Sequence, residues 1–462
     1  MSPGPWTLCL TGSDHARLRV HLLPGDGKEA AAILLCRDAG ISRRRLMVVE
    51  TRLVPHEDCA VREPNRLTWP GEALSLAANT AEDEGLSILL LHSHPGGLLG
   101  FSRMDDDSDA QTMSAIYAGW SGPEPRAGHG SAVMTPDGRI LARLYDQRLQ
   151  ATAVNLVTVA GDDLCFWWAS DPAEEVMAFG SRMSQRLERL HACVVGVSGT
   201  GSIIAEQAAR MGFGTLTLID FDRVEPKNLN RILNATHADA ANGELKVDVF
   251  ARAIAEYRPQ ARVVCLPASI ATREAVLAAA AADVIFCCVD TVEGRQIVDL
   301  LAQAFMIPLI DMGVSIPTRR TPQGHAAVAE VSGRIDYVQP GGSTLGDRGV
   351  YTPASLRAEY LALAAPDIYA RERAEGYIKG APEQAPSVIA LNMRAASAAM
   401  LEFIARAFPY RHSPNRAHAR VLFGLADGDE EHLGEDEMSR AGVIPVGVGA
   451  SEPLLGLPAL GI

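Results

Sequence analysis

Lysine is nearly absent from this 462-residue sequence: of its 42 basic residues, only Lys28, Lys227, Lys246 and Lys379 are not arginine. So sparse a distribution makes a lysine at a motif position conspicuous. The eight cysteines never form a CxxC pair, and none follows Cys288, which fits reduced cytosolic thiols rather than a disulfide framework. No apolar run approaches the roughly 18 residues of a bilayer span. The N-terminus, MSPGPWTLCLTGSDHARLRV, lacks the basic flank and apolar stretch of a secretory leader. Positive charge is short overall: the formal net charge is −14, whereas nucleic-acid binders collect excess basic residues. The expectation is a cytoplasmic protein that engages neither membrane nor nucleic acid.

What is present is ample apolar material, 47% of the chain, and length for two or three domains of about 150 residues. Residues 6–23 read as strands, 29–37 as an acidic start into a buried strand, and SILLLHSHP as a second strand. A helix follows over 108–120, then a hairpin over 130–145 that turns at Pro-Asp-Gly. Together, residues 1–150 make one α/β domain. Residues 151–178 read as a connector holding the aromatic knot CFWWAS. From 179 to 426 strands and helices alternate, which predicts a Rossmann-like, doubly wound, mostly parallel sheet. A loop-rich stretch, 315–386, interrupts it before a closing helix (386–408) and the strand RVLFGLA. The remainder, 427–462, is acidic and then rich in Gly and Pro, and reads as a tail that can be ordered at its apolar finish, PLLGLPALGI.

The first constellation is His92-Ser93-His94-Pro95, followed by Ser102 and Asp105. Two histidines one residue apart project from the same face of a strand. Asp105 can return as a third ligand, leaving a fourth zinc position for water, as in catalytic rather than structural sites. Zinc lowers the pKa of its bound water towards about 7. Glu29 offers a general base, with Glu50 and Glu57 as alternatives, and Ser102 an oxyanion donor. Spacing selects Asp105 among the clustered acids; Asp106, Asp107 and Asp109 read as solvated. The arrangement resembles the JAB/MPN (JAMM) family, whose motif is a distant Glu, His-Ser/Thr-His, seven residues, Ser, two residues and Asp. Here seven residues separate His94 from Ser102 and two separate Ser102 from Asp105. The resemblance covers about residues 7–150 and implies zinc-dependent cleavage of peptide or isopeptide bonds at ubiquitin-like C-termini.

The second constellation begins after the strand ACVV with Gly196-Val-Ser198-Gly199-Thr-Gly201 and a helix. Small residues let backbone approach phosphates, and a helix N-terminus favours their charge. With Asp220 at the end of the next strand, this much fits a nicotinamide dinucleotide equally well. Asn228, Asn230 and Arg231 follow, then Lys246, and Asp290 at the end of VIFCCVD. An arginine, a lysine and a magnesium-binding aspartate suit a triphosphate. This order resembles the ThiF/MoeB superfamily of ubiquitin-like-protein activating enzymes, over about residues 180–425, including Arg295, PLIDMGV (308–314) and PSVIALNM (386–393). The likeness implies ATP held by Gly196, Gly199, Gly201 and Asp220, with phosphates on Asn228, Arg231 and Lys246 and magnesium on Asp290. Ser198 departs from the glycine of many members. Family members also use an upstream arginine, often from the other subunit of a dimer; Arg182 is the candidate.

The combined expectation is an enzyme pair acting on a ubiquitin-like protein that ends in Gly, homodimeric through its second domain and passing product to a conjugating enzyme. One half adenylates with ATP and magnesium, and the other trims or deconjugates with zinc. Alternatives are activation of a sulfur-carrier protein, a half degenerated into a substrate-binding module, and, more remotely, a nicotinamide oxidoreductase. Relatives carry a catalytic Cys or a zinc-binding CxxC in a stretch like PGGPCLLC; here Thr344 and Asp347 stand at the two Cys positions. The expectation is adenylation without a stable enzyme thioester.

Overall fold

The computed structural model describes residues 5–171, 176–374, 388–440, 442 and 444–461. The described residues up to 171, with Gln303–Met306 and Pro445–Ser451, form one unit, and the remainder forms a second.

The first unit comprises β1 (Thr7–Thr11), α1 (Gly12–Leu22), β2 (Ala31–Asp38), β3 (Arg45–Leu53), β4 (Val61–Glu63), β5 (Arg66–Thr68), α2 (Gly71–Glu84), β6 (Ser87–Ser93), α3 (Arg103–Gly119), β7 (His129–Met134), β8 (Ile140–Tyr145), β9 (Ala151–Ala153), β10 (Leu156–Ala160) and β11 (Leu164–Trp168). Nine of the strands make one sheet in the order β11-β10-β1-β3-β2-β6-β7-β8-β9, while β4 and β5 pair separately as a hairpin. Alternation along β2 sends Ala32 and Leu34 into one core with Leu18 and Leu22 of α1. Ile33 and Leu35 enter the other, with Ala77 and Ala81 of α2 and Met113 of α3. The sheet is thus covered on both faces.

Two expectations fail here. Residues 12–22 are helical, not extended: Thr11 caps the helix by accepting from the Asp14 amide. Leu18, Val20 and Leu22 alternate in sequence, yet Val20 is 76% exposed while its two neighbours are buried four residues apart. Residues 151–168 are not a connector either. Thr7–Thr11 lies parallel to Leu156–Ala160, which pairs antiparallel with Leu164–Trp168, so the aromatic knot is the edge strand of the first sheet.

The second unit comprises α4 (Ser181–Leu187), β12 (His191–Val195), α5 (Gly199–Met211), β13 (Thr215–Ile219), α6 (His237–Asn242), α7 (Lys246–Tyr257), β14 (Arg262–Leu266), α8 (Arg273–Ala279), β15 (Val284–Cys287), α9 (Val292–Ala304), β16 (Leu309–Ser315), β17 (Thr318–Arg320), β18 (Ala326–Val328), β19 (Ser332–Val338), α10 (Pro353–Ala364), α11 (Pro366–Ala374), α12 (Ile389–Ala407), β20 (Arg420–Gly424) and β21 (Asp429–Leu433). Its eight-stranded sheet runs β14-β13-β12-β15-β16-β19-β20-β21. The first five strands are parallel and the last three antiparallel. This is an α/β fold built on a Rossmann-like core.

The stretch 315–386, expected to be loop-rich, contains a central strand, β19. Its signal is masked because interior positions carry charge. Arg334 pairs with Asp311 at 2.7 Å and also with Asp336. Asp336 is fully buried and further pairs with Arg348 at 3.2 Å and Arg420 at 2.7 Å. The acidic start of 427–462 is not a free tail, and its described apolar finish is ordered, as its sequence allows. Asp429–Leu433 extends the sheet as an edge strand, where a charged sequence is at home, and Arg273 of α8 donates to the Leu460 carbonyl at 2.9 Å. No described helix is long and apolar enough to cross a membrane.

Candidate functional site

In the first unit, β2 and β6 run antiparallel with Ala31 opposite His92. The Ser93 amide donates to the Ala30 carbonyl (3.0 Å), and the Ala30 amide donates to Ser93 Oγ (2.9 Å). One further step of this register sets Glu29 beside His94. The Glu29 amide also donates to the Glu63 carbonyl of β4 at 2.9 Å, which fixes the backbone of the candidate base. His94 leaves the strand with its amide on the Met134 carbonyl (2.8 Å) and its Nδ1 on the Leu98 carbonyl (2.8 Å). That contact makes Nδ1 the protonated nitrogen and leaves Nε2 free to act as a ligand.

Asp105 arrives on α3, whose start is a capping box: Ser102 Oγ accepts from the Asp105 amide at 3.2 Å, and the Asp105 carboxylate accepts from the Ser102 amide. The box explains why the helix begins five residues before the expected 108. It also aims the carboxylate. Asp105 Oδ1 lies 3.1 Å from His92 Nε2, Oδ2 lies 3.5 Å from His94 Nε2, and the two Nε2 atoms are 3.0 Å apart. The three ligand atoms all lie within 4.8 Å of one another, the one such cluster of three or more among the described residues. Electron-rich nitrogens converging on a carboxylate suit a cation, so the donor set fits zinc.

These three residues, Glu29 and Ser102 line one cleft of about 810 Å³. Glu50 instead pairs with Arg52 at 2.6 Å, and neither it nor Glu57 lines the cleft. Burial raises the Glu29 carboxyl, with the imidazoles of His92 and His94 opposing. Burial also works against charge on Asp105, but the two imidazoles and the Ser102 amide hold it well below the usual carboxylate range. Asp109, expected to be solvated, is 7% exposed. Its Oδ2 accepts from Tyr145 (3.0 Å), from Arg143 (2.6 Å) and from Ser131.

In the second unit the glycine turn joins β12 to α5. Gly196 has φ +86°, and a Cβ there would lie 2.9 Å from the Cys288 carbonyl oxygen. A Cβ on Gly201 would lie 1.7 Å from the Gly196 oxygen, so the turn is closed by backbone contact. No side chain caps α5, which leaves a helix N-terminus open to an anion. Asp220 Oδ2 accepts from the Val197 amide of this turn (2.7 Å), and Oδ1 accepts from the Asp222 amide (2.8 Å). Burial raises the Asp220 carboxyl against the opposing charge of Lys246. Lys246 is itself buried, its Nζ 2.6 Å from Asp222 and 3.9 Å from Asp220. Arg231 approaches the turn, with its Cδ 3.6 Å from where a Gly199 Cβ would stand. Asn392 of α12 comes nearer, its Nδ2 2.4 Å from that point. Asp290 is exposed just beyond β15. Asn228 is buried, and its Oδ1 accepts from the Glu225 amide at 3.1 Å, so it shapes its own loop.

Residues 13–137 match the family model for prokaryotic homologs of the JAB domain. Residues 173–345 match the ThiF family. The chain joins a JAB-type segment to a ThiF-type segment. The ubiquitin-like modifier-activating enzyme 5 of Culex quinquefasciatus is 27% identical over 218 residues, 44% of this chain and 50% of that protein. The tRNA threonylcarbamoyladenosine dehydratase of Escherichia coli K12 is 40% identical over 85 residues, 18% of this chain and 31% of its own length. The chain therefore spans half or less of these curated relatives. Among solved structures, E. coli MccB with MccA-N7isoASN is 16% identical with a TM-score of 0.44, covering 57% of this chain and 69% of that one.

Arg182 lies on α4 (Ser181–Leu187) of the ThiF-type unit. The Ser184 carbonyl of α4 lies 3.1 Å from where a Gly212 Cβ would stand, at the far end of α5 from the turn. Thirteen helical residues put the two ends about 20 Å apart. Thr344 and Asp347 are joined to each other: the Thr344 amide and hydroxyl both donate to Asp347 Oδ2 at 2.9 Å. Burial raises the Cys287 and Cys288 thiols far above the ordinary range and brings Cys265 to about 11.

Sequence reasoning missed Asp109, Arg143 and Asn392. Asn392 lies within the quoted PSVIALNM segment, of which residues 386 and 387 fall outside the described ones. No spacing rule links it to a turn nearly two hundred residues earlier.

Proposed function

We propose that the chain is a bifunctional enzyme of a ubiquitin-like protein pathway. Its ThiF-type unit adenylates a C-terminal Gly carboxylate with ATP, and its JAB-type unit hydrolyses a peptide or isopeptide bond at such a terminus. The observation that carries the peptidase half is the convergence of His92, His94 and Asp105 in the cleft that Glu29 also lines. Zinc, when bound by these three, supplies Lewis acidity. Glu29, raised by its burial, takes a proton from the attacking water and returns it to the leaving amine. The Ser102 hydroxyl accepts from the Asp105 amide and keeps its own proton to donate to the developing oxyanion.

For adenylation, the uncapped start of α5 receives phosphate, with Arg231 and Asn392 beside it. Asp220 offers its carboxylate to the ribose hydroxyls. The substrate carboxylate attacks the α-phosphorus and expels pyrophosphate, whose charge Arg231 and Lys246 offset. Asp290 would hold magnesium, which supplies charge neutralisation along the phosphates. The packing of α4, which carries Arg182, against the C-terminal end of α5 supports donation to a partner's site in a homodimer. With thiols raised by burial, direct transfer of the acyl-adenylate to a partner's thiol or amine is favoured; a sulfur-carrier substrate would use the same step. The test is mass spectrometry of small Gly-ending proteins incubated with the chain and ATP. An adenylate or its hydroxylamine product on one of them supports the reading. Hydrolysis of ATP with no acyl product on any overturns it.

A further inference from the structure

We propose that Arg143 is the positioning residue for the third metal ligand, gripping the start of α3 so that Asp105 meets His92 and His94. The inference rests on the zinc reading above and concerns a residue that is no ligand itself.

A single guanidinium, 13% exposed, reaches three places on the Asp105-bearing segment. Its carbon lies 3.7 Å from the centroid of the Phe101 ring, a stacking distance. Its Nη1 donates to Asp106 Oδ1 at 2.6 Å. Its Nη2 and Nε donate to Asp109 Oδ2 at 2.6 and 3.0 Å. Phe101 precedes Ser102, Asp106 follows Asp105, and Asp109 lies one helical turn further on. The three contacts therefore bracket the four-residue capping box from both sides. Tyr145 and Ser131 donate to the same Asp109 oxygen, so the anchor is built into the sheet and not merely laid on it.

The sheet gives this grip its purpose. Arg143 sits on β8 opposite Ser131 of β7, and Val133 of β7 sits opposite His92 of β6. The two histidines and the clamp are consequently fixed to one hydrogen-bonded frame. Asp105 joins that frame through the capping box and through Arg143. Groups that orient metal ligands commonly change affinity about 10–100-fold when removed. A planar fork that stacks and donates to two carboxylates at once is not reproduced by lysine.

The experiment is zinc affinity of the full chain, measured by competition with a chromophoric chelator, alongside far-UV circular dichroism and melting of the metal-free protein. The wild type, Arg143→Lys, Arg143→Met and Asp105→Asn are compared. The expected result is a roughly 10–100-fold loss of affinity in both Arg143 variants, with the metal-free fold retained. Should Arg143→Met fail to fold, Arg143→Lys still decides the question. Wild-type affinity in a folded Arg143 variant overturns the proposal while leaving the zinc reading intact. Equal affinity in the wild type and Asp105→Asn overturns the zinc reading and this inference with it.

Discussion

Glu29 and His129 are titratable side chains of the same unit, and burial pushes each towards its neutral form. For Glu29 this raises the carboxyl, so a base role predicts that the acid limb of peptidase activity lies above the usual carboxylate range. Glu29→Gln should retain zinc yet slow cleavage by roughly 10²–10⁴-fold; cleavage at the wild-type rate would assign the base elsewhere. His129 is fully buried, accepts from the Ile88 amide at Nδ1 (3.2 Å), and is lowered to about 4 by burial. Its unfolded pKa is near 6.5, so between about 6.5 and 4 the unfolded chain binds the extra proton. Stability is therefore lost as pH falls through that window, by up to about 3 kcal/mol. Urea titrations at stepped pH should show a shallower acid dependence in His129→Gln, and an unchanged slope would refute the assignment.

At the scale of elements, the turn from β12 to α5 tolerates no side chain at Gly201, where the clash would be with backbone. Gly201→Ala must open the turn; overpacking of this kind costs about 1–3 kcal/mol of stability, expected as a lowered urea midpoint, and an unchanged midpoint would contradict the close packing. The elements also explain how much could be read from sequence. The histidine pair with its spacing to Ser102 and Asp105, and the glycine turn, were legible because each is set by neighbours within a dozen residues, whereas the capping box that starts α3 at Arg103 was not read. Helix α1 was misread because Leu18, Val20 and Leu22 carry both periods at once. Strand β19 was hidden because Arg334 and Asp336 satisfy each other inside the fold. Asp109 looked solvated beside Asp106 and Asp107, since the arginine that buries it lies 34 residues downstream on β8. Burial of charge depends on partners that local pattern does not reveal.

For the whole molecule, the two candidate sites share no residue, so losses should separate. His92→Ala should abolish zinc binding and cleavage while leaving pyrophosphate exchange into ATP intact. Asp290→Ala should abolish exchange and spare cleavage. Loss of both activities in either single variant would contradict the assignment. Non-reducing gels after incubation with ATP and substrate should show no dithiothreitol-sensitive adduct on this chain, given thiols raised by burial.

The pairing of Lys246 with Asp222 bears on how the proposed adenylating unit would survive its own product. An acyl-adenylate modifies any nearby amine that presents a free electron pair. Lys246, close beside Asp220, is buried with its Nζ 2.6 Å from the Asp222 carboxylate. Lys227 is exposed, with its Nζ 3.0 Å from Glu225. On the proposed adenylation, the ion pair of Lys246 with Asp222 would shield the motif lysine from acylation more than Lys227 is shielded. Peptide mapping after prolonged turnover without acceptor should find any stray adduct on Lys227 and none on Lys246.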